Sequence, residues 1–180
     1  MTGGLATPLV MHTIGHSTRT AEAFLALLQA HGTRQLADVR AFPHSKRHPH
    51  FSRDPLDALL SANGIRYRHF PALGGHRKPR TDSVNTALRD PSFRGYADHM
   101  RTEDFRTSLD ALQAFAAYDP TTLMCAEAVW WHCHRRLLSD ALLVRSVKIW
   151  HILDCTAPKP HELSEFGRAH AGGVIYPGLL

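Results

Sequence analysis

Apolar residues recur along this chain in two alternating rhythms. The run LVMHTIG (9–15) reads as a β-type segment ending in GHST. In TAEAFLALLQAHG, Phe24, Leu27 and Leu28 share a helical face and Gly32 is a stop, so an amphipathic helix is predicted. QLADVRAFP (35–43) is a short buried strand, closed by a proline that cannot continue a central ladder. DPLDALLSANG predicts a helix with Asp54 as N-cap, Pro55 at its first position and Gly64 past its end. IRYRHFP alternates as a strand does. Beyond a Gly/Lys/Arg/Pro-rich loop (73–81), residues 83–117 read as helical, broken near RDPSFRG, with FRTSLDALQAFAAY the clearest amphipathic piece. TTLMCAE is the next buried strand, HRRLLSDALLVR a helix and VKIWHIL the last strand. After Asp154 the chain reads mostly as loop, with HELSEFGRAH a short helix.

Strands alternating with helices predict a mainly parallel sheet of about five strands covered on both faces. Right-handed crossovers narrow this α/β fold to a three-layer Rossmann-like or flavodoxin-like sandwich. No repeat or linker divides the chain, so residues 9–180 are expected to form one domain behind a short N-terminal extension (1–8), with a tail over 155–180. In such a sheet, ligands bind beyond the carboxyl ends of the strands. The loops leaving those ends are GHSTR, DVRAFPHSKRHPH, PALGGHRK and CAEAVWWHCHRR. Every unusual cluster in the chain lies in one of them, so a single shared site is expected.

Charge sharpens that picture. The net charge is +5, and the basic excess gathers in RAFPHSKRHPHFSR (40–53) and GGHRKPR (74–80), which points to an anionic small molecule or nucleic acid as partner. No apolar run approaches the roughly 20 residues of a membrane-spanning helix, so no membrane association is expected. The amino-terminal residues lack the pattern of a secretory signal, and three cysteines make no disulfide framework, so a reduced, cytoplasmic protein is expected.

TIGHST, DVRAFPHSKRHPHF, GIRYRHFPALGG, GYADHM and CAEAVWWHCHRR occur in that order and resemble a family called domain of unknown function 488. The resemblance covers about residues 11–153. It implies that His16, Asp38, Arg40, Cys125, Glu127, His134 and Arg135 belong to the family pattern, and its name assigns them no activity. Relatives carry a short acidic-proline stretch where this chain has AVWW.

Three chemistries suit these residues. As an enzyme, Cys125 would be a thiol activated by neighbouring cations and imidazoles, or Glu127 would carry protons with His16 or His134, Asp38 orienting them. As a metal centre, Cys125, Glu127, His132, Cys133 and His134 offer ligands, but ligands on adjacent residues rarely converge and no second Cys-x-x-Cys completes a zinc set. No metal ligand is therefore assigned and no cofactor expected, although a divalent ion is compatible with these residue types. As an anion site, Arg40, Lys46, Arg47 and Arg135 would hold a phosphate, with Ser17 before the first helix and Gly74 and Gly75 allowing close backbone approach. The anion reading accounts for most clusters at once, so an enzyme acting on a phosphate-bearing substrate is expected. A nucleic-acid-binding module, and a metal-dependent or thiol-based enzyme or redox sensor using Cys125, stand as alternatives. Trp130 and Trp131 are expected to seal the sheet end rather than stack on a base.

Overall fold

The predicted strands, two of them buried throughout, join in one sheet. In the structure, a computed structural model that describes residues 8–178, the elements run β1 (Val10–Gly15), α1 (Ala21–Ala30), β2 (Gln35–Asp38), α2 (Arg53–Ala62), β3 (Arg66–His69), α3 (Pro91–His99), α4 (Glu103–Ala116), β4 (Thr121–Cys125), α5 (Arg135–Leu143) and β5 (Lys148–Ile152). Three short strands follow, β6 (Lys159–Pro160), β7 (Arg168–His170) and β8 (Gly173–Ile175). Nearly all of the expected N-terminal extension lies outside the described residues. Thr20 and Thr102 cap α1 and α4 by accepting from the N–H groups of Ala23 and Phe105, and Asp90 caps α3 from Ser92.

The fold is α/β with a mainly parallel sheet, in the order β3-β2-β4-β1-β5-β6. β1 to β5 are parallel, and the two-residue β6 pairs antiparallel with β5. Among the described residues the sheet thus has six strands where about five were expected. β6 holds a proline and is too short to show a period. Two further expectations are corrected. Residues 83–90 form no helix, because the Ser83 hydroxyl and the Asn85 amide both donate to Asp98 Oδ1 and hold this stretch as a loop over α3. Residues 161–170 form no helix either, since Arg168–His170 pairs with β8 in a hairpin. α2 also starts before Asp54, with Ser52 at the cap position.

Two apolar clusters lie on opposite faces of the sheet. Ile14, Leu36 and Met124 pack with α1 and α2 residues such as Phe24, Leu28, Leu56 and Leu60. Met11, Ala37, Leu123 and Ile149 pack with α3 to α5 through Tyr96, Phe105, Leu112 and Leu138. Chain connections therefore leave the adjacent strands β1 and β4 in opposite directions. β1 crosses by α1 to β2, whereas β4 crosses by α5 to β5 on the other face. Their carboxyl ends part there and leave a crevice. Among the described residues no helix is long and apolar enough to cross a membrane.

Behind α5 the core encloses a chain of polar groups. Asp140 accepts from His161 Nε2 at 2.8 Å and from the Tyr176 hydroxyl at 2.8 Å. With His161 in the neutral tautomer, its Nδ1 accepts from His151 Nε2 (3.0 Å), and His151 Nδ1 from the Thr13 hydroxyl (2.7 Å). Trp130 stacks flat on His151 at 4.1 Å, so it faces inward and seals this side of the sheet, while Trp131 is more exposed. Burial, with His161 and Arg135 adding to it, lowers His151 to about 2. Burial likewise lowers His16 to about 4.

Both are bases that stay neutral in the folded state while the unfolded chain takes up their protons below about pH 6.5. Folding stability should fall as pH drops from about 6.5, by up to roughly 1.4 kcal/mol per pH unit for each histidine. The His16 contribution should level off near pH 4. Urea unfolding at several pH values should show this slope, and His151→Gln should remove part of it. An unchanged unfolding midpoint between neutral and mildly acid pH would contradict it.

Candidate functional site

Gly15 ends β1 where the loop after β4 crosses it. A Cβ at this position would lie 1.7 Å from the Glu127 carbonyl oxygen, so only glycine allows the two backbones to approach. His16 N–H then donates to the Cys125 carbonyl and Ser17 N–H to that of Ala126, which fixes both loops at the crevice. Gly74 plays a similar part opposite, since a Cβ there would fall 2.5 Å from the Ala41 backbone. These crossings wall a cavity of about 580 Å³, within the usual range of small-molecule sites.

At its floor, Cys125, Cys133 and His134 each place one ligand atom within 4.8 Å of the others. Cys125 is the last residue of β4. Cys133 is extended (φ −126°, ψ 151°), and His134 turns into the helical region (φ −56°, ψ −17°) as the cap of α5. That bend overcomes the objection that side chains on adjacent residues diverge. His134 Nε2 donates to the Val39 carbonyl at 2.9 Å, so its Nδ1 carries the lone pair. Nδ1 stands 3.7 Å from Cys133 Sγ and 3.9 Å from Cys125 Sγ. Arg135 sends its backbone N–H and its Nε–H to Cys133 Sγ, both at 3.5 Å. A hydrogen bond from the Cys125 thiol, with the Arg135 guanidinium beside it, holds the Cys133 thiol well below its usual range. The same bond, together with burial, pushes Cys125 up.

One wall is a second rigid unit. Asp38 is fully buried and receives four donors: Arg40 N–H (3.1 Å), Arg40 Nε (2.9 Å), Arg40 Nη2 (2.6 Å) and the Tyr67 hydroxyl (2.7 Å). Arg40 Nη1 faces His16 Nε2 at 3.4 Å. His16 stacks on Phe51 and donates from Nδ1 to the Ser17 carbonyl, which leaves Nε2 as its acceptor.

Of the residues singled out from sequence, His16, Arg40, Gly75, Cys125, Glu127 and His134 line the cavity. Asp38 lies beneath it, holding Arg40. Arg135 is buried behind Cys133, its guanidinium committed to Cys133 Sγ, Thr13 Oγ1 and the Glu127 and Ala128 carbonyls. Lys46 and Arg47 are exposed outside the lining, and Ser17 and Gly74 act through the backbone crossings. The Glu127 side chain is exposed and, among the described residues, makes no hydrogen bond or ion pair.

Sequence reasoning did not place Cys133 at the centre of the floor, nor Phe42, His44, His76 and Tyr96 on the walls. Cys-His-Arg at a helix start was a legible signal for the first. Phe42, His44 and His76 lie on loops whose paths carry no period, and Tyr96 on α3 reads from the sequence as an ordinary core aromatic. A second cavity, of about 430 Å³ beside the β7–β8 hairpin, is lined by arginines and holds no thiol.

The family model described as "Domain of unknown function DUF488" matches residues 20–142, more than half of the chain. No curated protein and no solved structure matches.

Proposed function

The chain belongs to the family of domain of unknown function DUF488, and from its cavity we propose that it is an enzyme whose chemistry is carried by Cys125, Cys133 and His134. The observation that supports this most is their convergence, two sulfurs and one imidazole lone pair within 4.8 Å at the floor of an open cavity. The two Arg135 donors aimed at Cys133 Sγ favour its thiolate and make it the nucleophilic or ligating sulfur of the group. Glu127, on the wall and free of protein partners among the described residues, is the group placed to move a proton. His16 is a weak base at neutral pH and serves the wall as a neutral acceptor.

A phosphate-bearing substrate in a basic pocket has less support. Arg40 and Arg135 already face internal partners, which leaves the Arg40 Nη1 edge, His44 and His76 for any negative charge. The substrate is therefore read as a small molecule of low charge. Phe42, 73% exposed at the lining, is suited to cover an apolar portion of it.

Turnover tests this without knowledge of the substrate. A cellular metabolite extract is incubated with the wild-type chain or with Cys133→Ser, and the small molecules are followed by mass spectrometry. Metabolites consumed and formed by the wild type should change at least about 100-fold more slowly with the serine chain, since a hydroxyl replaces the nucleophilic or ligating sulfur. Turnover at the wild-type rate by both Cys133→Ser and Cys125→Ser would end the proposal.

A further inference from the structure

The same three atoms have the spacing of a metal centre. We infer that Cys125 Sγ, Cys133 Sγ and His134 Nδ1 bind one zinc-like soft divalent cation and leave a fourth coordination position open to the cavity. This inference rests on the reading of that cluster as the reacting centre and adds the cofactor class.

Zinc bonds to sulfur at about 2.3 Å and to imidazole nitrogen at about 2.0–2.1 Å, with tetrahedral angles. Those values place sulfur and nitrogen ligands about 3.6 Å apart. The two sulfur–nitrogen pairs here stand at 3.7 and 3.9 Å, so they need to close by only a few tenths of an ångström, and the two sulfurs lie within 4.8 Å of each other. The imidazole is already in the tautomer a metal needs, because Nε2–H is held by the Val39 carbonyl and Nδ1 is bare. A ligating histidine nearly always has its second nitrogen fixed in this way.

Charge and surroundings agree. Two thiolates neutralise a divalent ion, so the occupied centre adds no net charge to a buried floor. The Arg135 N–H groups directed at Cys133 Sγ are the outer contacts a metal thiolate accepts. On binding, two metal–sulfur bonds and one metal–nitrogen bond form, the thiol protons pass to solvent, and no oxidation state changes. Three protein ligands in a cavity wall, rather than four in a closed core, is the pattern of catalytic zinc. The open position can take water or a polarisable substrate oxygen, beside Glu127. The third cysteine, Cys155, is exposed on the loop after β5 and takes no part.

The test uses full-length protein purified without a metal-affinity column. Elemental analysis is paired with zinc titration against a chromophoric chelator and with the absorption spectrum of the cobalt(II)-loaded chain. The expected result is about one metal per chain, sulfur-to-cobalt charge-transfer bands, and zinc-dependent protection of two cysteines from alkylation. Cys133→Ser and His134→Ala should each weaken binding at least about 10-fold, while Cys155→Ser should leave it unchanged.

No uptake of added zinc by the wild-type chain, with alkylation equally fast with and without the metal, would overturn the inference. So would a Cys125–Cys133 disulfide as the stable state of the freshly purified chain. In both cases a turnover that still depends on Cys133 would leave the sulfur-centred enzyme standing. The opposite pattern, metal bound by the wild-type chain but turnover kept in Cys133→Ser, would overturn the sulfur-centred enzyme and leave the metal site standing as a structural one.

Discussion

Asp38→Ala is expected to lower the unfolding free energy by about 3–5 kcal/mol, the usual cost of leaving one member of a buried ion pair without its partner. Asp38 has no exposure, and Arg40 is 5% exposed. Removing the carboxylate leaves the buried guanidinium without its partner and takes the acceptor from the Tyr67 hydroxyl as well. Replacing both partners should behave differently, because a buried pair of charges exchanged for apolar groups of similar size is often nearly neutral. Asp38→Leu with Arg40→Met should therefore recover most of the loss, less about 1–3 kcal/mol for the orphaned phenol. Urea unfolding curves of the three chains measure this directly. A loss below about 1 kcal/mol in Asp38→Ala would show that the pair is open to water, and would return Arg40 to the role of an anion holder.

Gly15→Ala should be nearly as damaging, by another mechanism. Its Cβ would meet the Glu127 carbonyl oxygen at 1.7 Å and the Ala128 Cα at 3.0 Å, and these are backbone atoms that no rotamer change can move aside. Overpacking of side chains typically costs about 1–3 kcal/mol, and a backbone collision should reach the top of that range or beyond. Relief requires the loop after Cys125 to lift from β1. The bonds that Glu127 and Ala128 carbonyls make to Arg135 would then break, and Arg135 would no longer be held against Cys133. The variant should lose at least about 3 kcal/mol by urea unfolding and should bind zinc more weakly if it folds. Wild-type stability in Gly15→Ala would mean that the loop is far looser than these contacts imply.

Much of this was legible in the chain. Leu36, Leu123, Met124 and Ile149 announce buried strands because a parallel sheet covered on both faces needs apolar residues without interruption. Phe24 and Leu28 announce α1 because a surface helix must turn one stripe inward. The location of the site followed from topology alone, since loops at the carboxyl ends of parallel strands are where this architecture gathers its ligands.

What stayed hidden depends on contacts far apart in sequence. Lys46 and Arg47 are as basic as Arg40, but only Arg40 has a carboxylate two residues earlier on a strand that buries both. The sequence does not say that Arg135 turns away from the cavity, because its partners Thr13 and Glu127 arrive from two other segments. Cys133 and His134 looked incompatible as neighbours, and converge only because the chain passes from extended to helical between them.

The polar chain behind α5 also sets an order of events. During synthesis, helix α5 emerges from the ribosome ahead of His161 and Tyr176, so on emergence Asp140 has neither of the side chains that complete its hydrogen bonds. Once residues up to about 150 have emerged, most of the sheet can close, since domains begin to fold from the amino-terminal side as they emerge. It would still carry a carboxylate facing an unfinished interior, on the helix whose first turn presents Arg135 to Cys133. The segment after β5 thus acts as a late latch: it completes the bonds of Asp140, on the helix that carries Arg135, only when the last strands dock.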